Sequence, residues 1–334
     1  EKTIFEYENI KGEALAVPVS NINPYLVDAP DLVLEKRNQP ICLVPTISYG
    51  SMANDDGHLL LDKEQRNALI AAEPATAPYI RRYMGAQEFL NNAERWCLWL
   101  KDISPSLMRS SNELRHRIEA VRKFRASSNR EATRNLAATP SLFGEDRQPL
   151  KSYLLLPKVS SENRPYMPIG FMPSEVIANG SALTISDSGH YEMGVLQSKM
   201  HMAWMRAVAG RMKSDYQYSA QIVYNNFPWP DLPEKLEPNQ PQTPTHKAQT
   251  AIEKAAQAVL DARAQFPGSS LADLYDPLTM PPALLKAHQK LDAAVDAAYA
   301  LVGGKKTWKN DAERVAFLFE RYQHLTSLLP AVKG

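Results

Sequence analysis

The sequence is poor in the residues that build several common kinds of site. Only two of its 334 residues are cysteine, Cys42 and Cys97, which excludes a disulfide framework and a four-cysteine zinc site and favours a reducing, cytoplasmic setting. Glycine is scarce, with 14 residues, so the glycine-rich loops that cradle nucleotides are disfavoured. No apolar run approaches the roughly 18 residues of a membrane span. The first residues also lack the basic and apolar segments of a secretory signal.

Several catalytic motifs are absent or incomplete. The segment Asn-Pro-Tyr-Leu at 23–26 lacks the second proline of the Asn-Pro-Pro-Tyr box with which amino-methyltransferases hold a base amine. Asp31 and Glu35 do not complete a metal nuclease motif, because Lys36 directly follows the second acid and points to the opposite face of a strand. The seven histidines form no pair at metal-ligand spacing. We therefore expect no catalytic residue and no metal site in this chain.

The chain divides at a proline-rich segment. Residues 231–245 have almost no apolar periodicity, which predicts an extended linker. Residues 1–230 mix strand-like and helix-like runs without a regular βαβ repeat, which favours α+β. Residues 246–334 carry three helical stripes, which predict a small helical bundle. The expected order is a mixed α/β domain, a linker and a C-terminal helical domain.

Local patterns predict the individual elements. Strand-like runs lie at 13–19, 39–45, 58–61, 95–100, 152–159, 166–172 and 182–186. Helices are predicted at 62–72 with Asp62 as N-cap, at 104–110 with Ser104 as cap and Pro105 first, and at 111–137 and 194–213. In the C-terminal part, we expect Thr245 to cap the first helix, Pro281 and Pro282 to start the second, and Asn310 to cap the third.

Positive charge is concentrated between residues 109 and 134, although the whole chain carries only +1. This stretch holds eight Lys or Arg and three Glu. On a helix, the spacing predicts a basic ridge opposite an inward stripe; the ridge contains Arg115, Arg122, Arg125, Arg130 and Arg134, and the stripe Leu114, Ile118, Val121 and Phe124. Such a ridge binds the phosphates of a nucleic acid, but a solvated helix face has the same composition.

Two further segments have the composition of nucleic-acid contacts. Glu162, Asn163 and Arg164 are the residue types that contact cytosine, adenine and guanine edges in a major groove, although a surface turn has the same composition. In an extended segment, Glu162 and Arg164 would lie on the same side. A later run combines Arg211 and Lys213 with four Tyr or Trp residues, which fits either nucleic-acid contact or backbone packing.

Long runs of the sequence carry a family resemblance. They include NINPYLVDAPDLVLEKRNQPICLVP (21–45), VSSENRPYMPIGF (159–171), YNNFPWP (224–230) and LYDPLTMPP (274–282), and they extend with gaps from about residue 1 to 325. These runs resemble the C-terminal part of MmeI-like restriction–modification enzymes, class I methyltransferases that methylate adenine in DNA. In that family this part is the target recognition domain followed by a helical region, and the nuclease and methyltransferase core lie upstream.

The resemblance implies a non-catalytic DNA-recognition module within a longer polypeptide, which also fits the absence of an initiator Met. Its partners would be double-stranded DNA and the methyltransferase domain of the same polypeptide. Whether a nuclease domain is also a partner stays open, and no contact with a membrane is expected. S-adenosylmethionine would bind the upstream domain, and no cofactor is expected in this chain.

The same resemblance implies particular base-reading residues, by which we mean residues that contact base edges. Its Ser-Ser-Glu-x-Arg segment corresponds to Glu162 and Arg164, with Asn163 between them and Tyr166 nearby, and a second segment contains Ser128 and Arg130. The phosphate contacts are assigned to Arg115, Arg122, Arg125, Arg134, Arg211 and Lys213. Two alternatives remain at this point: a self-contained hydrolase or nuclease with an unrecognised site, and a protein-interaction scaffold.

Overall fold

The structure is a computed structural model that describes residues 2–7, 12–232 and 240–327. Its strands are Lys2–Tyr7 (β1), Ala14–Val19 (β2), Ile47–Tyr49 (β3), Leu60–Leu61 (β4), Ile80–Met84 (β5), Trp96–Leu98 (β6), Tyr153–Pro157 (β7), Val159–Ser160 (β8), Gly170–Met172 (β9), Ile177–Ala178 (β10), Ala182–Ser186 (β11), Gly210–Met212 (β12) and Asp215–Gln217 (β13). They form small sheets in the orders β1-β2, β10-β5-β6-β4, β3-β11-β7-β9 and β12-β13-β8. Every pairing is antiparallel except that of β10 with β5.

Helices separate and cover these sheets. The α-helices are Lys63–Ala72 (α1), Ala86–Asn91 (α2), Pro105–Ser110 (α3), Asn112–Ala126 (α4), Glu131–Asn135 (α5), His190–Leu196 (α6), Lys199–Val208 (α7), Pro244–Ala264 (α8), Leu271–Leu274 (α9), Pro282–Ala300 (α10) and Asp311–Ser327 (α11). Short 3₁₀ helices lie at Pro74–Tyr79 and Leu136–Ala138, and a π-helix at Ala220–Tyr224. This mixture confirms the predicted α+β class. No helix in the described part of the chain has both the length and the apolarity to cross a membrane.

The predicted helix starts are confirmed where a side chain satisfies the first backbone amides. The Asp62 carboxylate accepts a hydrogen bond from the Gln65 amide, and the Asp62 amide donates to the side-chain carbonyl of Gln65. Ser104 caps α3 and Pro105 is its first residue. Asn310 accepts from the Glu313 amide at the start of α11. These starts are correctly predicted because each depends on residues within one turn.

Other predicted elements differ from the structure. The helix expected at 194–213 is two helices and a strand, because Ser198 caps a new helix and Gly210 begins β12. No strand forms at 39–45, where the Ile41 amide donates instead to the Asn225 carbonyl. The cap of α8 is Thr243 rather than Thr245, since Pro244 occupies the first helical position. Residues 233–239 of the predicted linker lie outside the described residues, and Pro244 and Thr245 at its end belong to α8.

The helix expected at 111–137 ends at Ala126, one residue after Arg125. This side chain continues the inward stripe of Leu114, Ile118 and Val121, whereas Phe124, predicted to face inward, is 36% exposed. The five N–H groups of the buried guanidinium donate to five backbone carbonyls at 2.7–3.0 Å, those of Ala53, Asn54, Leu136, Thr139 and Leu142. Arg125 therefore fixes the loops around the end of α4. Its predicted contact with phosphate is wrong, because the side chain is 0% exposed.

The C-terminal helices share one apolar core with the sheet β3-β11-β7-β9 and with α6 and α7. One close approach is at Gly194 of α6, where an added Cβ would lie 2.7 Å from Ile252 on α8 and 3.1 Å from Leu291 on α10. Helix α11 packs against α7. The helical region therefore lies directly on the rest of the described chain, and the domain boundary proposed at 231–245 stays a prediction.

One carboxylate of this region is buried between elements that are distant in sequence. Asp292 on α10 accepts a hydrogen bond from the Tyr166 hydroxyl at 2.7 Å and another from the Lys199 amide, at the first residue of α7, also at 2.7 Å. Burial raises the pKa of Asp292 from the usual 3.8 to about 6, because the charged form loses hydration that these donors only partly replace.

Replacing Arg125 with Lys should lower the free energy of unfolding by roughly 3 kcal/mol, because an ammonium group cannot donate to all five carbonyls. Urea unfolding measures the loss. The matched variant Arg122→Lys alters a half-exposed residue three positions earlier on the same helix and should change the value by less than about 0.5 kcal/mol. Equal stability of the two variants would contradict the assigned role of Arg125.

Asp292 should also make stability depend on pH. Because folding raises its pKa, the resulting stabilisation is complete below pH 3.8 and is lost as the pH rises through about 6. The free energy of unfolding of the wild type relative to Asp292→Asn should thus increase by about 2 kcal/mol between pH 7 and pH 4.5. Urea unfolding at the two pH values measures this difference, and a constant difference would show that the carboxyl is not perturbed.

Candidate nucleic-acid interface

Two of the segments singled out in the sequence meet in one small sheet. Strand β13 pairs with β8 through Tyr216 and Ser160, and with β12 in a hairpin whose last pair is Met212 and Asp215. The segment that contains Glu162 and Arg164 leaves β8 directly. The hairpin that carries Arg211 and Lys213 is therefore adjacent to it, and we call the turn 161–165 and the hairpin 210–217 the two arms of the interface.

The first arm is a turn and not an extended segment. The Arg164 amide donates to the Ser161 carbonyl at 3.2 Å, and the Asn163 amide donates to the Ser161 hydroxyl at 3.3 Å. Such a turn does not have the two-residue alternation of a strand. The expectation that Glu162 and Arg164 lie on the same side of an extended segment is therefore wrong. Asn163 is exposed in the turn.

Glu162 pairs with the second arm. Its carboxylate lies 3.6 Å from Nη1 of Arg211, and the two side chains are 31% and 44% exposed. The Arg211 guanidinium also lies over the Tyr216 ring, 3.8 Å from its centroid, and donates to the Ser214 carbonyl at 2.7 Å. An ion pair this exposed stabilises the free protein by less than about 1 kcal/mol. Both groups are therefore able to exchange this contact for one with a ligand.

The remaining cations of the arms differ in their surroundings. Lys213 is exposed at the hairpin turn, where its φ of +56° is in the left-handed region. Arg164 is partly buried, and Nη1 lies 3.4 Å from the Ser160 hydroxyl. Burial lowers the pKa of the Arg164 guanidinium, an effect that Asp215 and Asp276 oppose. An arginine keeps its charge at neutral pH, so Arg164 presents a partly desolvated cation beside the turn.

Tyr166 does not belong to the exposed surface. Its side chain is fully buried, stacks on His288 with 4.0 Å between ring centroids, and donates to Asp292. The predicted contact of Tyr166 with a base is therefore wrong, because no part of its ring is accessible to solvent. The sequence signal was misleading because Tyr166 is only two residues from Arg164, yet the chain turns inward between them.

A groove that the sequence does not predict lies beside the arms. It has a volume of about 420 Å³ and is lined by Ala86, Gln87, Lys158, Val159, Gly180, Ser181 and Met212. Met212 is 50% exposed, and Lys158 lies over the Tyr49 ring at 5.2 Å. Only Lys158 carried a signal, as a cation that follows the apolar strand β7. Gln87 and Ser181 come from other parts of the chain, so no local pattern places them here.

A second group of exposed cations lies on helix α4 and in the residues that follow it. Arg115, Arg122, Arg130 and Arg134 are exposed, and Arg122 pairs with Glu119 at 3.0 Å. The Ser128 hydroxyl accepts from the Arg130 amide, and the Ser128 carbonyl accepts from the Arg134 guanidinium at 3.0 Å. Within residues 2–7, 12–232 and 240–327, no hydrogen bond or ion pair joins this group to the arms. The structure therefore brings together the residues of each group but does not link the two groups.

In the same described ranges, no three His, Cys, Asp or Glu side chains are placed to hold a metal ion. The two cysteines are unpaired, and burial raises the pKa of both thiols.

Comparison with known proteins gives a consistent result. The family model of the MmeI target recognition domain matches residues 28–231, and that of the MmeI C-terminal domain matches residues 244–330. DNA methyltransferase A of Bacillus subtilis strain 168 is 37% identical over 308 residues, which are 92% of this chain and 33% of that protein. The structure of the Type IIL restriction–modification enzyme MmeI in complex with DNA superposes with a TM-score of 0.86 and 46% identity, over 98% of this chain and 42% of that one.

This chain thus spans less than half the length of either relative. The match to the target recognition model alone covers more than half of the chain, and the second model accounts for the helices that follow. The chain belongs to the MmeI family and comprises its target recognition domain and its C-terminal domain.

Proposed function

We propose that this chain selects the DNA sequence at which a longer, S-adenosylmethionine-dependent enzyme methylates adenine. The observation that carries this proposal is the sheet β12-β13-β8 of a target recognition domain, which brings Arg211 within 3.6 Å of Glu162, in the turn that also carries Arg164. The solved complex of MmeI with DNA supports DNA as the ligand of this chain.

The shape of the second arm fits a DNA groove. A two-stranded β-ribbon is narrow enough to enter the major groove, which is about 12 Å wide. The β12–β13 hairpin would present Arg211 and Lys213 to the DNA, with Met212 between them. An arginine donates to the acceptors of guanine, and a carboxylate such as that of Glu162 accepts from the amino group of cytosine. We assign base reading to the turn 161–165, to Arg211 in place of the phosphate contact expected from the sequence, to Ser128 and Arg130, and to Lys158 and Gln87 of the adjoining groove.

Phosphate contacts are assigned to the exposed cations. Arg115, Arg122 and Arg134 lie around helices α4 and α5, and Lys213 lies at the hairpin tip. Contacts of this kind set the position of a protein on the duplex and carry little sequence information. The division of labour is thus between a small surface that discriminates bases and a broader one that provides affinity.

Catalysis belongs to the rest of the longer polypeptide in this proposal. That part would bind S-adenosylmethionine, take the target adenine out of the base stack and transfer the methyl group to its amino nitrogen. Recognition by this chain would determine which adenine is presented. Whether the same polypeptide also cleaves DNA does not affect this role.

Replacing Glu162 with Gln should change the preference at one base pair. The carboxylate accepts hydrogen bonds only, whereas an amide also donates, so discrimination at that position should fall roughly ten- to a hundredfold. Selection of bound duplexes from a randomised library, with wild type and variant in parallel, measures the preference at each position. Glu64→Gln, which changes an exposed acid of α1, is the charge-matched control and should leave all preferences unchanged. A uniform change in affinity over all sequences would contradict base reading by Glu162.

Replacing Arg122 with Ala should weaken binding to all DNA sequences alike. Each lost phosphate contact should reduce the slope of log affinity against log salt by about one unit. Titration of a labelled duplex at several salt concentrations measures this slope. Lys286→Ala on α10 removes an exposed charge from the C-terminal helices and should leave the slope unchanged. Identical slopes for Arg122→Ala and wild type would show that Arg122 is a solvated residue of its helix and contacts no phosphate.

A further inference from the structure

The C-terminal helices hold the chain that leaves the first arm. Within six residues, the Arg164 carbonyl accepts from Arg206 at 3.4 Å, the Met167 carbonyl from Gln197 at 2.9 Å, and the Ile169 carbonyl from Arg263 at 2.6 Å. Arg206 is itself fixed by Asp311 of α11 at 2.6 Å. Arg263 belongs to α8 and makes its contact directly. Asp311 belongs to α11 and acts through the side chain of Arg206.

Asp292 of α10 adds a contact with the chain that supports each arm. Its Oδ2 accepts from Tyr166, which directly follows the turn of the first arm. Its Oδ1 accepts from the amide of Lys199, the first residue of the helix α7 that leads into the hairpin of the second arm. One buried carboxylate on α10 therefore holds both Tyr166 and Lys199. The chain just before Tyr166 includes β8, and the chain after Lys199 includes β12 and β13, which join β8 in the sheet β12-β13-β8.

We infer that Asp292 is a positioning residue for sequence recognition, and that the C-terminal helices set the spacing between the two arms. This inference rests on the proposed function. Asp292 does not reach the surface and contacts no base; it acts through Tyr166 and Lys199. Recognition by hydrogen bonds needs each donor and acceptor within about 0.5 Å of its place, so a support that ties both arms to one group preserves discrimination between bases.

The neighbouring Asp296 provides a matched control. It lies one turn further along α10, is equally buried, and pairs with Arg314 of α11 at 3.0 Å. The charge of Asp296 interacts with those of Lys199 and Asp292, but within the part of the chain that the structure describes it makes no hydrogen bond or ion pair with the arms or with α7. Asp296→Asn should therefore disturb the packing of the C-terminal helices without releasing either arm.

The experiment compares Asp292→Asn, Tyr166→Phe and Asp296→Asn with the wild-type chain. Two properties are measured: backbone amide exchange in 161–165 and 210–217, and base preference in a randomised duplex library. We expect Asp292→Asn to speed exchange severalfold in both arms and to reduce discrimination about tenfold, while the salt dependence of binding stays unchanged. Tyr166→Phe should affect the first arm only. Asp296→Asn should leave exchange in the arms and base preference as in the wild type.

Three results would overturn the inference: unchanged exchange in both arms of Asp292→Asn, unchanged base preference, or the same effects in Asp296→Asn. The last would reduce Asp292 to a contributor to general stability. Failure of the proposed function is distinguishable, because it would appear as a wild-type chain without any base preference. Amide exchange would still decide, without DNA, whether Asp292 holds the two arms.

Discussion

The buried carboxylate of Asp292 is the interaction on which the arrangement of the interface depends. A charge at this depth loses most of its hydration, and only hydrogen bonds of good geometry offset the loss. Tyr166 and the first amide of α7 provide these bonds; Tyr166 directly follows the first arm, and α7 connects Lys199 to the second arm. Satisfying one buried group thus constrains two distant parts of the chain. Burial raises the pKa of Asp292, and the two donors oppose this shift because they favour the charged form.

How much of the fold is predictable follows from the range of each interaction. The N-terminal ends of α1, α3 and α11 are correctly predicted, because Asp62, Ser104 and Asn310 act on backbone amides within one turn. The end of α4 is not predictable in this way. The last turn of α4 carries the buried Arg125, whose five acceptors lie up to 72 residues away, and an arginine on a helix is normally a solvated residue. Arg125 is therefore buried and Phe124 is exposed, the reverse of what their residue types predict.

The same limit applies to the interface. Composition alone singles out the turn at 162–164 and the hairpin with Arg211 and Lys213 as separate candidates. Their proximity comes from the pairing of β13 with β8, which joins residues 56 or more apart and has no local signal. Tyr166 shows the opposite error, since closeness in sequence to Arg164 implied a shared role that burial excludes. Residue types thus predict the chemistry of the site, and non-local pairing decides which of them belong to it.

The pairing of Glu162 with Arg211 has a consequence for selectivity. A carboxylate facing DNA is repelled by the phosphates on every sequence, and it gains a hydrogen bond only where a base presents an amino group. In the free chain, Arg211 partly neutralises this charge at 3.6 Å. Under the proposed function, Arg211 would turn to a base or phosphate, and Glu162 would lose its partner and depend on the DNA for another. A wrong base pair would then leave the carboxylate unpaired beside a polyanion, a penalty that would discriminate more strongly than the gain of one correct hydrogen bond.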